Sequence, residues 1–196
     1  MSNGNKYERL WKLQSKINQM VLDGKRDLSE LLVIYQAVLD GWRIEVVKPS
    51  VISIDRSSPF EPVAFIGSGW TIEEECSLVL TELDLSKVQF KTMLRTDENS
   101  IGGEKKLKRL KDAGHIRLDA KIFQTLWENK HLIPESWKET VNGNTRYIFF
   151  DGTILRDPHG YRYVLYLFWN DGGWSWGVGW LGSAWDARGP SAVLAS

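Results

Sequence analysis

The chain has 196 residues, with Lys plus Arg and Asp plus Glu both at 25, so it carries no net charge and offers no global electrostatic case for a polyanion partner such as DNA or an acidic membrane. Its single cysteine, Cys76, excludes an internal disulfide framework and a four-thiolate zinc site, and suits a reducing compartment. The length fits one domain of ordinary size, or one domain with a helical appendage, and suffices to bury a sizeable core.

The polar start, residues 1–6, lacks the apolar core of a secretory signal. The longest apolar run, residues 163–169, is far short of the roughly 20 residues that a spanning helix needs. A soluble, cytoplasmic chain without a membrane partner is expected. Over residues 6–21, Leu10, Leu13, Ile17, Met20 and Val21 recur at helical spacing before Asp23-Gly24, predicting an amphipathic helix. Asp27 opens Asp-Leu-Ser-Glu, a capping box, and Leu28, Leu31, Leu32, Tyr35 and Leu39 follow on one face. The pair reads as an αα-hairpin over residues 1–41, expected to dock on its own core because an exposed stripe of that size is a liability. From residue 42 an α+β region begins, either as a second domain over 42–196 or as one continuous domain with the hairpin.

In residues 42–47 the period changes to two, with Trp42, Ile44 and Val46 alternating with Arg43 and Glu45, as in a half-buried strand. Residues 51–54 and 63–66 are further strand candidates around a Pro/Ser loop at 57–62. Glu73, Glu74 and Glu75 read as a solvated edge, and residues 77–83 as another strand. Asp84 or Ser86 is expected to cap a helix carrying Val88, Phe90, Met93 and Leu94. A basic helix follows at 104–113, with Leu107, Leu110 and Ala113 as its buried positions and Gly114 as its stop. After an extended 115–118, Asp119 caps a helix whose Ile122, Phe123, Leu126 and Trp127 share one face before Pro134.

The rest reads as an antiparallel meander. Asn142-Gly143-Asn144 turns into a strand at 146–150, Asp151-Gly152 turns again into 153–156, and Asp157-Pro158-His159-Gly160 leads to a final hairpin. That hairpin spans residues 161–185, holds half of the ten tryptophans, and reverses at Asn170-Asp171-Gly172-Gly173. The class is α+β: an N-terminal αα-hairpin, a mixed middle with two or three further helices, and a C-terminal meander.

Three constellations bear on function. On the second hairpin strand, alternation places Trp174, Trp176, Val178 and Trp180 on one face, with Ser175, Gly177, Gly179 and Leu181 opposite. Either the indoles close the protein's own core, or they form a binding surface, together with Trp185, on which a ligand stacks. The second constellation is Lys105, Lys106, Lys108, Arg109 and Lys111, which could neutralise phosphates of a nucleic acid, although Lys-rich faces are common solvated surfaces. The third is Asp151, Asp157, Asp171 and Asp186, which could gather with His159 as a hydrolase's acid and base; Asp-Gly is also ordinary turn chemistry. No Gly-rich phosphate loop, zinc-pair spacing or nucleophile elbow occurs, so neither a cofactor nor a metal is expected, and no catalytic residue is assigned.

Residues 118–129 (LDAKIFQTLWEN), 132–138 (LIPESWK) and 149–153 (FFDGT) carry a resemblance. From about residue 83 onward the chain resembles a group of uncharacterised proteins frequent in small-genome candidate-phylum bacteria, whose chains end on a Trp-rich stretch and a segment like 190–195 (PSAVLA). The resemblance implies a bacterial, cytoplasmic protein and carries no activity. The leading expectation is thus a non-enzymatic module that binds a protein partner or itself, followed by nucleic-acid binding and then hydrolysis.

Overall fold

The computed structural model describes residues 3–23, Leu28, Ser29, Leu32, Val33, Gln36 and 50–195. The chain divides into two compact units, residues 1–47 and 48–196. In the first, helix α1 covers Asn3–Leu22, as the periodicity predicts. Ile17 and Met20 are half-buried along it, while Trp11 and Leu22 face solvent. Leu28, Ser29, Leu32, Val33 and Gln36 are also helical. The link of the expected hairpin and the expected strand at 42–47 lie outside the described residues.

The second unit is α+β. Strand β1 (Val51–Ser53) has only its central Ile52 buried and pairs antiparallel with residues 82–84. Residues 63–66, expected as a strand, instead lie in and just after the short helix α2 (Pro62–Phe65). Proline at the first helical position has its φ preset and no N–H to waste, so Pro62 starts a turn of helix. The acidic run lies inside β2 (Thr71–Glu75), where Glu74 and Glu75 are half-buried and Glu73, though exposed, pairs with Arg156 and Arg162, so it is not a free solvated edge. Ser77 takes a positive φ of 66° and ends any strand there, leaving only β3 (Glu82–Asp84) of the expected 77–83 strand.

Asp84 does cap, but the helix it starts is a single 3-10 turn, Leu85–Lys87, with its carboxylate accepting from the Ser86 N–H. Val88 is already extended, and β4 (Gln89–Lys91) follows where a helix is expected. The pairing of β4 with the C-terminal strand outweighs local helical spacing. Strand β5 (Ile101–Gly102) leads into α3 (Gly103–Asp112), the basic helix. Its buried residues are Gly103, Lys106, Leu107 and Leu110, whereas Ala113, expected inside, is exposed. Strand β6 (Ile116–Arg117) precedes α4 (Ala120–Glu128), capped by Asp119, which accepts from the Ile122 N–H at 2.9 Å.

Strand β7 (Tyr147–Arg156) is continuous for ten residues. Asp151-Gly152, expected as a turn, is its middle, marked by a register shift against the next strand. The backbone at and after β6 lies close against it there, since a Cβ at Gly152 would lie 2.5 Å from the Arg117 carbonyl oxygen and 2.6 Å from Leu118. Strands β8 (Arg162–Asn170) and β9 (Gly173–Trp180) form the expected hairpin, followed by β10 (Ala184–Trp185) and β11 (Ser191–Leu194). The meander therefore has three strands rather than four.

The main sheet runs β4-β11-β7-β8-β9, with β2 beside the far half of β7 and β6 beside β11. It is mixed, because β11 and β7 pair in parallel while the other pairings are antiparallel. One face packs on α4 through Ile122, Phe123 and Leu126, together with Ile148, Phe150, Leu165 and Leu167. The opposite face holds a smaller cluster of Leu107 from α3 with Phe149, Ile154, Val164 and Leu181. Residues of alternate parity along β7 and β8 thus feed two cores, which is why eight consecutive residues of β7 are buried. Among the described residues, no helix is long and apolar enough to cross a membrane.

Candidate functional site

Both faces of β9 are covered. On the indole side, Trp174 is buried and meets Trp169 edge-on at 5.5 Å between ring centroids. Trp176 packs at 4.9 Å on Phe65, 6.1 Å on Phe123 and 6.3 Å on Trp127, under α4 and α2. On the glycine side the groove is filled by neighbouring rings. A Cβ at Gly177 would lie 2.5 Å from the Tyr166 hydroxyl, and one at Gly179 would lie 2.4 Å from the Phe149 ring. Phe149 in turn stacks on Trp185 with centroids 4.2 Å apart and planes at 16°. Of the four candidate tryptophans, Trp180 stands out with 45% of its surface exposed, edge-on to the exposed Tyr161 at 5.8 Å.

What β9 leaves open is its edge. The two-residue loop Asp171-Gly172 has φ of 49° and 78°, the pattern of a type I′ turn, and it fixes Asn170 opposite Gly173. The closing pair of such a hairpin exchanges hydrogen bonds, and hydrogen-bonded pairs then alternate along the ladder. Residues 173, 175, 177 and 179 thus bond to β8, and the backbone N–H and C=O of Trp174, Trp176 and Val178 point away from it. Among the described residues, no strand lies on that outer side. The Trp180 carbonyl, at the end of the row, accepts from Ser183.

Natural edges are blunted by charge, proline or a bulge. From Gly173 to Trp180 there is neither a charged residue nor a proline, and the pairing with β8 runs without a register shift. The edge of β9 is eight residues long, regular in register and, among the described residues, unpaired by any strand.

The basic helix has a different fate, because each of its five cations has a carboxylate. Lys105 lies 2.8 Å from Glu98, and Arg109 grips the same carboxylate with both terminal nitrogens. Arg109, then Lys105, hold the Glu98 carboxyl well below the usual carboxylate range. Lys108 pairs with Asp112 at 2.5 Å, and Lys111 with Glu74 at 2.5 Å. Phosphates would have to displace these partners, so the positive potential of this face is reduced, though not cancelled, because Lys105 and Arg109 share one carboxylate.

Lys106 is fully buried. Its Nζ donates to the Gly189 carbonyl at 2.8 Å, lies 3.7 Å from the Asp151 carboxylate, and sits 4.6 and 4.8 Å from the Phe149 and Trp185 ring centroids. Burial pushes its pKa down to about 8, with the attraction of Asp151 opposing. Asp151 is also fully buried, and neither of its carboxylate oxygens has a hydrogen-bond partner. The burial of Lys106 has a sequence signal, since Gly103, Lys106, Leu107 and Leu110 follow the i, i+3, i+4, i+7 pattern of one helical stripe. The charge on Lys106 hides that stripe.

The structure does not gather the other carboxylates. Asp157 closes its turn by accepting from the N–H groups of His159 and Tyr161, at 3.0 and 2.8 Å, and His159 is exposed. Asp171 lies at the opposite end of β8, nine residues away in an extended strand, or roughly 30 Å. Asp186 pairs with Arg188 at 2.9 Å. Among the described residues no group of three or more His, Cys, Asp or Glu is placed to hold a metal ion.

No protein-family model, curated protein or solved structure matches this chain.

One feature lay beyond sequence reasoning altogether. A cleft of about 320 Å³ opens between Leu85, Val88, Phe90, Leu132, Pro134 and Trp137, and its lining contains no charged side chain. It is assembled from three separate short segments, and nothing in their spacing announces it.

Proposed function

We propose that this chain is a non-enzymatic, cytoplasmic protein-interaction module that takes up an extended protein segment along the outer edge of β9. The observation that carries the reading is the row of outward backbone groups at Trp174, Trp176 and Val178 on a strand without charge, proline or bulge. Strand addition uses such an edge: main-chain hydrogen bonds hold the incoming segment, and alternate side chains choose it. The half-exposed Trp180 with Tyr161, at the end of the same strand, adds an aromatic surface for a side chain of the incoming segment. The dispersal of Asp151, Asp157 and Asp171 gives hydrolysis no shared pocket, and the ion pairs of the α3 cations weaken the case for phosphate binding.

The test is selection of random displayed peptides on the immobilised protein. Enriched peptides should alternate β-branched or aromatic residues. Their capture should fall about tenfold or more in Val178→Pro, which removes an outward donor worth roughly 1.4 kcal/mol or more with its strand neighbours. Failure to enrich any peptide, or capture indifferent to Val178→Pro in a variant with native circular dichroism, would refute the reading.

A further inference from the structure

Resting on that reading of β9 as a docking edge, we propose that its occupant is a second copy of the same chain, with the two β9 strands pairing antiparallel about a two-fold axis through Trp176. The outward-facing residues Trp174, Trp176 and Val178 are spaced symmetrically about Trp176. A copy rotated by two-fold symmetry brings Trp176 of each chain face to face, and Trp174 of one chain opposite Val178 of the other. Each such pair joins outward groups to outward groups, so each exchanges two hydrogen bonds, about six in all. Every outward donor and acceptor of the row is then satisfied without any change in β9 itself.

The side chains fit the same register. Ser175 of one chain falls opposite Gly177 of the other on the face away from α4, so two small residues meet there. Asp171, the charged residue nearest β9 along the chain, falls opposite the uncharged Leu181. An edge with no charge of its own has nothing by which to attract a strand of particular sign, whereas pairing with itself costs no repulsion. Closure also argues for a copy. A two-fold contact consumes both free edges and stops at two, which removes the aggregation hazard of an uncharged edge strand without building a fibre. The extended sheet would run through both protomers, with α4 on the same face of each because the axis is perpendicular to the sheet.

The experiment is sedimentation velocity on the full chain across concentration, combined with amide hydrogen exchange. The expected result is a dimer at about 100 µM, a hundredfold above a micromolar Kd. On dimerisation the Trp174, Trp176 and Val178 amides should exchange about tenfold more slowly, and the inward Ser175 and Gly177 amides should barely change. Ser175→Lys places two lysines diagonally across the axis, within reach of each other's charge, and should yield a monomer with native circular dichroism; Val178→Pro should do the same by removing a donor. A dimer whose outward amides exchange as in the monomer, or one that survives both variants, overturns the proposal. A monomer at every concentration overturns it too. If that monomer still captures displayed peptides in a Val178-dependent way, only self-pairing fails; if it captures none, the edge reading fails with it.

Discussion

Replacing Lys106 by Met tests the least expected feature of the structure. The methionine keeps the length of the aliphatic stem that crosses the second core and removes the ammonium group alone. What it leaves is Asp151 without exposed surface, with no hydrogen bond to either carboxylate oxygen and now with no cation at 3.7 Å. Breaking a buried pair from one side costs about 3–5 kcal/mol, because the remaining group is stranded in a dry site. Loss of the contacts with the Phe149 and Trp185 faces adds to this, by up to about 2 kcal/mol for a desolvated cation. Against a typical total of about 5–15 kcal/mol, the change is a large fraction. With a urea m-value of about 2 kcal/mol/M, the midpoint should fall by roughly 2 M. The double variant Lys106→Met, Asp151→Leu should recover most of the loss, since an apolar pair of similar volume replaces the ionic one. A urea titration of the four proteins closes the cycle. A shift below about 1 kcal/mol for Lys106→Met alone, or a double variant no better than the single one, would refute the argument that these two groups depend on each other.

Four further outcomes follow from the same coordinates. Because burial lowers the Lys106 pKa to about 8, the folded chain releases this proton above pH 8 while the unfolded chain keeps it to about 10.5. The unfolded state thus binds more protons between those limits, and urea midpoints should rise with pH relative to those of Lys106→Met across that window. Gly152→Ala should cost about 3 kcal/mol or more, because its Cβ meets the Arg117 and Leu118 backbone, which cannot rotate away; thermal unfolding measures it. Gly179→Ala should cost about 1–3 kcal/mol and be partly rescued by Phe149→Leu, since the nearest obstacle is the Phe149 ring, with Trp185 next at 3.3 Å. Asp119→Ala should cost about 3 kcal/mol, as both the helix cap and the 2.8 Å pairing with Arg56 are lost, while Asp119→Asn should cost less by keeping the cap acceptor.

Residue order alone determined the features whose causes are local. The Asp171-Gly172 reversal, the Asp119 cap, the glycine stop after α3 and the alternation along β9 depend on groups within a few residues of each other, and all are present. The sequence also held both outcomes for the aromatic strand, an indole lid on the protein's own core or a binding face. Tertiary structure decided between partners that compete for the same short segment. Pro62 with Val63 suits a strand or a helical turn, and docking of Phe65 on Phe60, Phe123 and Trp176 accompanies the turn. Asp151-Gly152 suits a reversal, yet the β6 backbone against Gly152 and the ammonium of Lys106 beside Asp151 keep it within a ten-residue strand. The basic helix spells a phosphate-binding surface until Glu98, Glu74, Asp112 and Asp151 arrive from elsewhere in the chain or the next helical turn. The aromatic hairpin underwent the same change of meaning. Its faces are spent on two cores, and what remains is an edge, because hydrogen-bonding direction along a strand is set by which neighbour lies beside it, and among the described residues β9 has a neighbour on one side.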